Sequence, residues 1–288
     1  MKLSKTLGAL WALVLSPMVS AQSQIFLLHS SNTAEINVEP IGELGHYSNQ
    51  PQVTTKGVYF SFELGAGEGA QKDILFYDFA SKAITNITNT PLHSEYSPTL
   101  IPNDDAISSV VVEPNGAQKL WRYSLDYNEP AQRLLDNGVT VGYHAWGASD
   151  DLIIFALGEP HTAQYFSTAQ PEKLSFVAAN PGRTFSYSAQ LQGFTFIALE
   201  QNWLSLYNPK TKEVTKLFRL PNKVEDYTWV DADTIAYASQ NRIYTKHIGN
   251  AQPASLWHDV STYCDGRVTR LSYLFEGQKL AFVCEHND

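Results

Sequence analysis

The residues of this sequence best suited to chemistry are three histidines that recur ahead of short apolar segments. His46 and His93 lie 12 and 13 residues before the apolar segments that follow them, and His144 lies 8 residues before its own. Imidazoles that meet in space can hold a divalent metal or act as a general base. One hypothesis is therefore a metal or acid–base site. The alternative is that these histidines are ordinary polar residues that line a water-filled channel through the protein.

Four charged residues occupy comparable positions ahead of other apolar segments. They are Glu95, Arg183, Asp226 and Arg270. Two cations and two anions that converge on one opening favour recognition of a charged or polar ligand. The alternative interpretation is that they are solvated loop charges, since Arg, Asp and Glu are mostly exposed in folded proteins.

The sequence lacks the short motifs that identify common enzyme classes. It contains no G-x-S-x-G nucleophile elbow, no H-E-x-x-H, no Walker A element and no G-x-G-x-x-G. The glycine-rich segment Gly65–Gly69 is predicted to be a loop between two strands. The adjacent acids Asp104–Asp105 and Asp150–Asp151 fall at one position of a repeated turn, where Asp is a preferred residue. We therefore predict no catalytic residue and no cofactor.

The composition favours a folded β-protein. The 288 residues are 43% hydrophobic and 17% charged, which excludes a disordered chain. Aromatic residues are abundant, with 15 Tyr, 14 Phe and 6 Trp, and aromatic side chains are enriched in strands. The net charge of −9 argues against nucleic-acid binding, which needs clustered Lys and Arg.

The first 21 residues are predicted to be a cleaved signal peptide. Lys2 and Lys5 precede the apolar run Leu7–Leu15, and Val19–Ala21 is a small-residue cleavage site. This apolar run is too short to span a bilayer, which takes about 20 residues. The product is therefore expected to be periplasmic or secreted, with no membrane span.

Export determines how the two cysteines are interpreted. Cys264 and Cys284 are an even pair, and a disulfide is the default for such a pair in an oxidising compartment. A metal site would normally need four ligands, and no C-x-x-C or H-x-x-x-H spacing accompanies them.

A repeat organises the chain after residue 45. Each unit consists of an apolar strand, a tight turn rich in Gly, Asn or Asp, and a second apolar strand, and such turn residues tolerate the positive φ of tight hairpins. The second strands are predicted to begin at residues 58, 106, 152, 194, 235 and 280. Intervals of 41 to 48 residues match the size of a propeller blade.

Third and fourth strands complete most of these units, but the sixth unit ends after two strands. Residues 24–28 and 34–38 match third and fourth strands, so we expect them to complete the last blade. Such closure leaves no unpaired sheet edge. The predicted fold is all-β: residues 22–288 form one six-bladed β-propeller domain with four-stranded antiparallel blades.

The repeat resembles the PD40 (WD40-like) repeat of TolB-type periplasmic propellers. Ser97-Pro98 with residues 102–107 is the nearest copy of the family's Pro-Asp-Gly hairpin, and residues 73–78 and 84–88 are similar to its third and fourth strands. The resemblance covers nearly the whole chain after the signal peptide and implies a propeller fold. TolB carries an additional N-terminal α/β domain, which we expect this chain to lack.

We therefore predict an exported, non-catalytic binding or scaffold propeller of the TolB-like type, acting as a monomer. Its partner would be an envelope or periplasmic protein or a small ligand at the channel mouth. The residues expected to meet there are His46, His93, Glu95, His144, Arg183, Asp226 and Arg270. The alternative is a propeller enzyme of the polysaccharide lyase or hydrolase type. The similar oligogalacturonate lyase-type propellers hold a divalent metal with channel histidines.

Overall fold

The computed structural model describes residues 22–29, 36–42, 46–65, 67–126 and 129–286. The signal peptide predicted over residues 1–21 lies outside these ranges. The described residues form six four-stranded antiparallel sheets arranged as blades in a ring, which confirms the predicted six-bladed propeller. Within these ranges no helix is long and apolar enough to cross a membrane.

Blades 1 to 3 follow one another along the chain, and each runs from its innermost to its outermost strand. Blade 1 contains β3 (Ser48–Val53), β4 (Gly57–Leu64), β5 (Gln71–Asp78) and β6 (Ile84–Asn86). Blade 2 contains β7 (Ser94–Leu100), β8 (Ala106–Val112), β9 (Gln118–Ser124) and β10 (Gln132–Arg133). Blade 3 contains β11 (Val141–Trp146), β12 (Asp151–Ala156), β13 (Thr162–Ser167) and β14 (Ser175–Ala179).

Blades 4 and 5 repeat this order, and blade 6 uses both ends of the described chain. Blade 4 contains β15 (Pro181–Ser188), β16 (Gly193–Ala198), β17 (Trp203–Asn208) and β18 (Glu213–Arg219). Blade 5 contains β19 (Tyr227–Trp229), β20 (Thr234–Ser239), β21 (Arg242–His247) and β22 (Ser255–Asp259). Blade 6 contains β23 (Arg267–Leu274), β24 (Lys279–Glu285), β1 (Ser23–His29) and β2 (Asn37–Ile41).

The N-terminal strand closes the ring. β1 pairs antiparallel with β24, with His29 opposite Lys279 and Ser23 opposite Glu285. β2 then pairs with the other edge of β1, so the predicted completion of the last blade is confirmed. The fourth strand was predicted over residues 34–38 but spans Asn37–Ile41, while residues 34 and 35 lie outside the described ranges.

The hydrophobic core consists of apolar clusters at the interfaces between neighbouring blades. The second strands are apolar on both faces because a blade packs on each side, and β8 is buried from Ala106 to Val111. Between blades 6 and 1, for example, Ile25 and Leu27 pack with Val58 and Phe60. The same packing at every interface fixes the innermost strands around a common channel.

The turns between first and second strands show why their residues recur. Asn103 has a positive φ of 60°, as its turn position predicts. Gly57 and Gly193 do not have positive φ. Any Cβ at these positions would collide with the backbone carbonyls of Tyr77 and Tyr207 on the adjacent strand. Glycine is needed there for close approach of two strands, not for a left-handed turn.

Several innermost strands contain irregularities that redirect side chains. The pairing shifts between Asn49 and Gln52 in β3 and at matching places in β7 and β23. Gln50, Ser97 and Arg270 lie in these shifts with φ of 56°, 53° and 52°. A bulge bends its strand and aims one side chain away from the regular alternation. We refer to these three residues as the bulge residues.

The disulfide predicted between the two cysteines is present. Cys264 lies in the loop between β22 and β23, Cys284 lies in β24, and their Cα atoms are 5.5 Å apart. Both cysteines are fully buried in the apolar cluster between blades 5 and 6. The bond therefore ties the loop that enters the last blade to that blade's second strand.

Candidate functional site

A cavity of about 130 Å³ lies where the six blades meet, and every blade contributes to its lining. Polar and aromatic side chains from the innermost strands and the residues next to them surround it. They include Gln50, Gln52, Ser97, Thr99, Tyr143, His144, Arg183, Thr184, Asp226 and Arg270. We call this the channel cavity.

An ion pair between blades 4 and 5 forms one wall of the channel cavity. The Arg183 guanidinium donates from Nε to Oδ1 of Asp226 at 3.1 Å and from Nη2 to Oδ2 at 2.6 Å. The Thr184 hydroxyl donates to the same Oδ1 at 3.0 Å. A bidentate pair of this kind fixes the position of the carboxylate and also balances its charge.

Arg270 of blade 6 faces this ion pair across the cavity. Its Nη1 lies 3.9 Å from Oδ1 of Asp226, and its Nη2 donates to the Tyr143 hydroxyl at 3.1 Å. The guanidinium also lies over the Tyr143 ring, 5.0 Å from the centroid. The structure therefore brings Arg183, Asp226 and Arg270 together, as the sequence predicted for them.

Two guanidinium groups share one carboxylate in this arrangement. Burial alone would raise the pKa of Asp226, but the charges of Arg270 and Arg183 outweigh it and hold the pKa below its usual value. The side chain of Asp226 is 8% exposed and that of Arg270 is 13% exposed, so solvent screens these charges only weakly. Asp226 is therefore an anion near pH 7, placed between two cations.

His144 lines the same cavity but is held by the neighbouring blade. Its Nε2 lies 2.7 Å from the Ser108 hydroxyl, which also accepts a hydrogen bond from Trp146 Nε1 at 2.8 Å. Burial lowers the pKa of His144 to about 3, so the imidazole is neutral near pH 7. Its first role is to connect blades 2 and 3.

The same connection recurs two blades further on with other residues. In blade 4, Thr195 Oγ1 accepts hydrogen bonds from the Tyr227 hydroxyl at 2.8 Å and from Trp229 Nε1 at 3.3 Å. Trp229 and Tyr227 thus correspond to Trp146 and His144. A repeated hydrogen bond between a hydroxyl on a second strand and an aromatic residue on the next first strand is a structural feature of the repeat.

Glu95 does not lie at the channel cavity. It is fully buried between blades 1 and 2 and accepts hydrogen bonds from the hydroxyls of Thr90, Tyr123 and Thr88 at 2.6, 3.1 and 3.2 Å. Burial, with a contribution from the charge of Asp73, raises its pKa to about 7. The expected convergence with Arg183 and Arg270 fails because the carboxylate faces the blade interface.

His46 and His93 also lie apart from the cluster. The His46 ring contacts Phe62 at 5.5 Å between centroids, and the His93 ring contacts Trp121 at the same distance. Neither histidine lines the channel cavity. The two residues precede their strands by similar distances, but each ring packs on an aromatic side chain of its own blade.

One set of potential metal ligands comes together within the described part of the chain, and it is not in the channel. Asp265, Cys284 and His286 place ligand atoms within 4.8 Å of one another. His286 Nδ1 is 2.6 Å from Asp265 Oδ1, while the sulfur of Cys284 is bonded to Cys264. As a disulfide, this sulfur does not offer the thiolate that metals bind.

Sequence reasoning missed several residues of the channel cavity, above all Tyr143 and two of the bulge residues. Gln50 and Ser97 correspond to Arg270, and each lies 8 to 10 residues before the predicted start of its second strand. Aligning the first strands of the six units on this offset would have revealed them. The shared Pro after Gln50 and Ser97 is a further signal in two of the units.

Comparison with known proteins supports the propeller fold alone. No protein-family model matches the chain, and no curated protein sequence does. The structure is similar to that of a putative TolB from Agrobacterium tumefaciens, with a TM-score of 0.66 and 8% identity over 93% of this chain and 100% of that one. These values establish a shared propeller architecture.

Two other solved structures show the same architecture in different settings. A chain of the nidogen/laminin complex matches with a TM-score of 0.63 and 10% identity over 82% of this chain and 93% of that one. A puromycin-hydrolyzing peptidase from Mycobacterium tuberculosis matches with a TM-score of 0.57 and 10% identity over 83% of this chain. This chain corresponds to 43% of the peptidase.

Proposed function

We propose that this protein is an exported, non-catalytic binding propeller of the TolB-like type, whose ligand or partner protein engages the channel cavity. The observation that carries the proposal is the cluster of Arg183, Asp226 and Arg270. Three blades contribute these charges to one polar site, and a rigid ring that positions them is a good binding platform.

The comparisons support the class of function at the level of fold. The nidogen/laminin structure is a complex between proteins, and the putative TolB shares the whole length of its chain with this fold. Export is supported by the disulfide between Cys264 and Cys284, because such bonds persist in oxidising compartments. The proposed partner is an envelope or periplasmic protein, or a small ligand.

Capture of a partner from a periplasmic extract tests this proposal when it is done with matched variants. Arg270→Gln removes the charge, and glutamine is accepted at the equivalent bulge, because Gln50 has the same positive φ. Arg122→Gln is the control, since Arg122 forms a comparable bidentate pair with Asp104 on the outside of blade 2. We expect wild type and the control to capture a partner that Arg270→Gln loses. Capture that is equal for all three proteins would contradict the proposal.

The enzymatic alternative needs a metal held by channel histidines. The structure separates His46 and His93 from His144, whose ring is held by Ser108. Elemental analysis of the purified protein tests this alternative directly. A stoichiometric divalent metal that is lost in His144→Ala would favour the enzyme and would justify polysaccharide turnover assays.

A further inference from the structure

Three buried polar atoms on residues that line the channel cavity have no hydrogen-bond partner within the described residues. They are Arg270 Nε, Ser97 Oγ and His144 Nδ1, and they come from blades 6, 2 and 3. Leaving a buried donor or acceptor unpaired costs about 1 to 3 kcal/mol, so such groups are rare in native proteins. Three of the seven such atoms among the described residues belong to the lining of this one cavity, as a site for polar atoms of a ligand would require.

The net charge of the groups that line the cavity specifies the sign of the ligand's charge. Among the described residues that line it, Arg183 and Arg270 are cations and Asp226 is the one anion, so a single positive charge is in excess. Glu225 lies 3.6 Å from Arg183, but its side chain is 47% exposed and it does not line this cavity. Arg183 forms two hydrogen bonds with Asp226, whereas Arg270 lies 3.9 Å from it, so the less compensated of the two guanidinium groups is that of Arg270.

The available donors specify the shape of the ligand. Arg270 Nε is an N–H donor, and the Ser97 hydroxyl can donate as well. His144 Nδ1 becomes a donor when the Ser108 hydroxyl gives its hydrogen to Nε2, an arrangement compatible with the 2.7 Å separation. Three donors on residues that line one cavity, together with the excess positive charge, match a group with two acceptor oxygens and one negative charge.

We propose that the channel cavity binds a single carboxylate group, held by Arg270 Nε, Ser97 Oγ and His144 Nδ1. This inference rests on the proposed function and adds the chemical class of the ligand. A carboxylate balances the single excess charge, whereas a phosphate monoester would carry about two negative charges near pH 7. The volume of about 130 Å³ accommodates the carboxylate and a short stem, so the rest of the ligand lies outside the cavity.

The carboxylate has three possible sources, namely a protein C-terminus, an acidic side chain or a free small acid. Matched probes distinguish them: N-acetyl-glycylglycine for a chain terminus, N-acetyl-glutamic acid α-amide for a side chain, and acetate for a free acid. The amide of N-acetyl-glycylglycine is the neutral control, and inorganic phosphate is the competing oxyanion. All titrations are run at constant ionic strength, because screened charge effects would otherwise imitate binding.

The readout is the Nε–H resonance of Arg270 in protein labelled with ¹⁵N-arginine, assigned by its absence in Arg270→Gln. We expect at least one carboxylate probe to shift this resonance saturably and to bind at least ten-fold more tightly than the neutral amide. Ser97→Ala should weaken that probe several-fold, and Arg122→Gln should leave its affinity unchanged. The carboxylate that binds most tightly identifies the source.

Three results would overturn the inference: equal binding of the acid and its amide, tighter binding of phosphate than of every carboxylate, or no shift with any probe. Competition in the capture experiment separates this inference from the proposed function. If the partner depends on Arg270 but carboxylates do not displace it, the carboxylate inference fails and the proposed function stands. If carboxylates bind but no captured partner depends on Arg270, the carboxylate inference stands, and the proposed function holds for a small ligand but not for a partner protein.

Discussion

Asp226 accepts two hydrogen bonds from Arg183, at 2.6 and 3.1 Å, and lies 3.9 Å from Arg270, so one buried carboxylate separates two partly buried cations. The three residues belong to blades 4, 5 and 6. Removing the carboxylate would leave two guanidinium groups facing each other with little solvent between them. The stability of the channel therefore depends on Asp226 more than on either arginine.

The first prediction concerns the variant Asp226→Asn. We expect it to lower the free energy of unfolding by about 3 to 5 kcal/mol, the usual cost of removing one partner of a buried ion pair. Asp104→Asn is the matched control, because Asp104 pairs with Arg122 but is 33% exposed, and it should cost at most about 1 kcal/mol. Urea unfolding at pH 7 measures both. Equal costs for the two variants would contradict the prediction.

The second prediction is a pH dependence that originates at Glu95. Its pKa is raised by burial to about 7 in the folded protein, above the ordinary value of 4.5, so the folded state favours the protonated carboxyl. The contribution of Glu95 to the free energy of unfolding is therefore greatest below pH 4.5 and is lost as the pH rises towards 7. The difference of pKa corresponds to a loss of about 3 kcal/mol.

Glu95→Gln tests this assignment, because its amide stays neutral and can keep hydrogen bonds to Thr88, Thr90 and Tyr123. We expect the variant to remove most of the decline in unfolding free energy between pH 5 and 8, as measured by urea unfolding. Glu172→Gln, at an exposed position, should keep the wild-type profile. The assignment is wrong if the profile of Glu95→Gln matches that of wild type.

The sequence predicted the second strands of the blades well and the residues of the channel cavity poorly, for different physical reasons. Second strands are buried on both faces, so they appear as continuous apolar runs, and their observed starts at 57, 106, 151, 193, 234 and 279 lie within one residue of prediction. Outer strands are half exposed and their pattern is weaker. In β14 (Ser175–Ala179), for example, Val177 is the one buried residue.

The channel depends on strand irregularities that have no sequence period. Glu95 and Ser97 lie two residues apart in β7, and regular alternation would give them one orientation. The shift in pairing between Tyr96 and Thr99 separates them, so that Ser97 lines the channel cavity while the Glu95 carboxyl lies between blades 1 and 2. Arg183, Asp226 and Arg270 were identified because charge at a first strand is visible in the sequence.

The third prediction concerns the N-terminal strands. Deleting residues 22–41 from the chain 22–288 exposes the edge of β24 and removes Ile25, Leu27, Leu28 and Ile41, which are all fully buried. Each such side chain contributes about 1.5 to 3 kcal/mol, so the loss is comparable with the whole stability of a typical domain. We expect the truncated protein to lose its cooperative melting transition.

Adding the missing strands as a peptide provides the control for this deletion. A synthetic peptide of residues 22–41 should restore the melting transition in a concentration-dependent manner, because binding to the folded state stabilises it by mass action. A peptide of the same composition in scrambled order should not. If the truncated protein melts like the intact chain without any peptide, β1 does not close the ring.

The last prediction concerns the disulfide between Cys264 and Cys284, which closes a loop with a sequence separation of 20 residues. In the chain-entropy model a loop of this length contributes about 3 kcal/mol, by restricting the unfolded chain. Adding a thiol reductant should therefore lower the free energy of unfolding of wild type by about this amount. The double variant Cys264→Ala, Cys284→Ala should be insensitive to the reductant, which controls for effects of the reagent itself.

Thiol titration of the unfolded, unreduced protein should find no free thiol. Two reactive thiols would show that the bond is not formed in the native protein, and the support it gives to export would be lost with it.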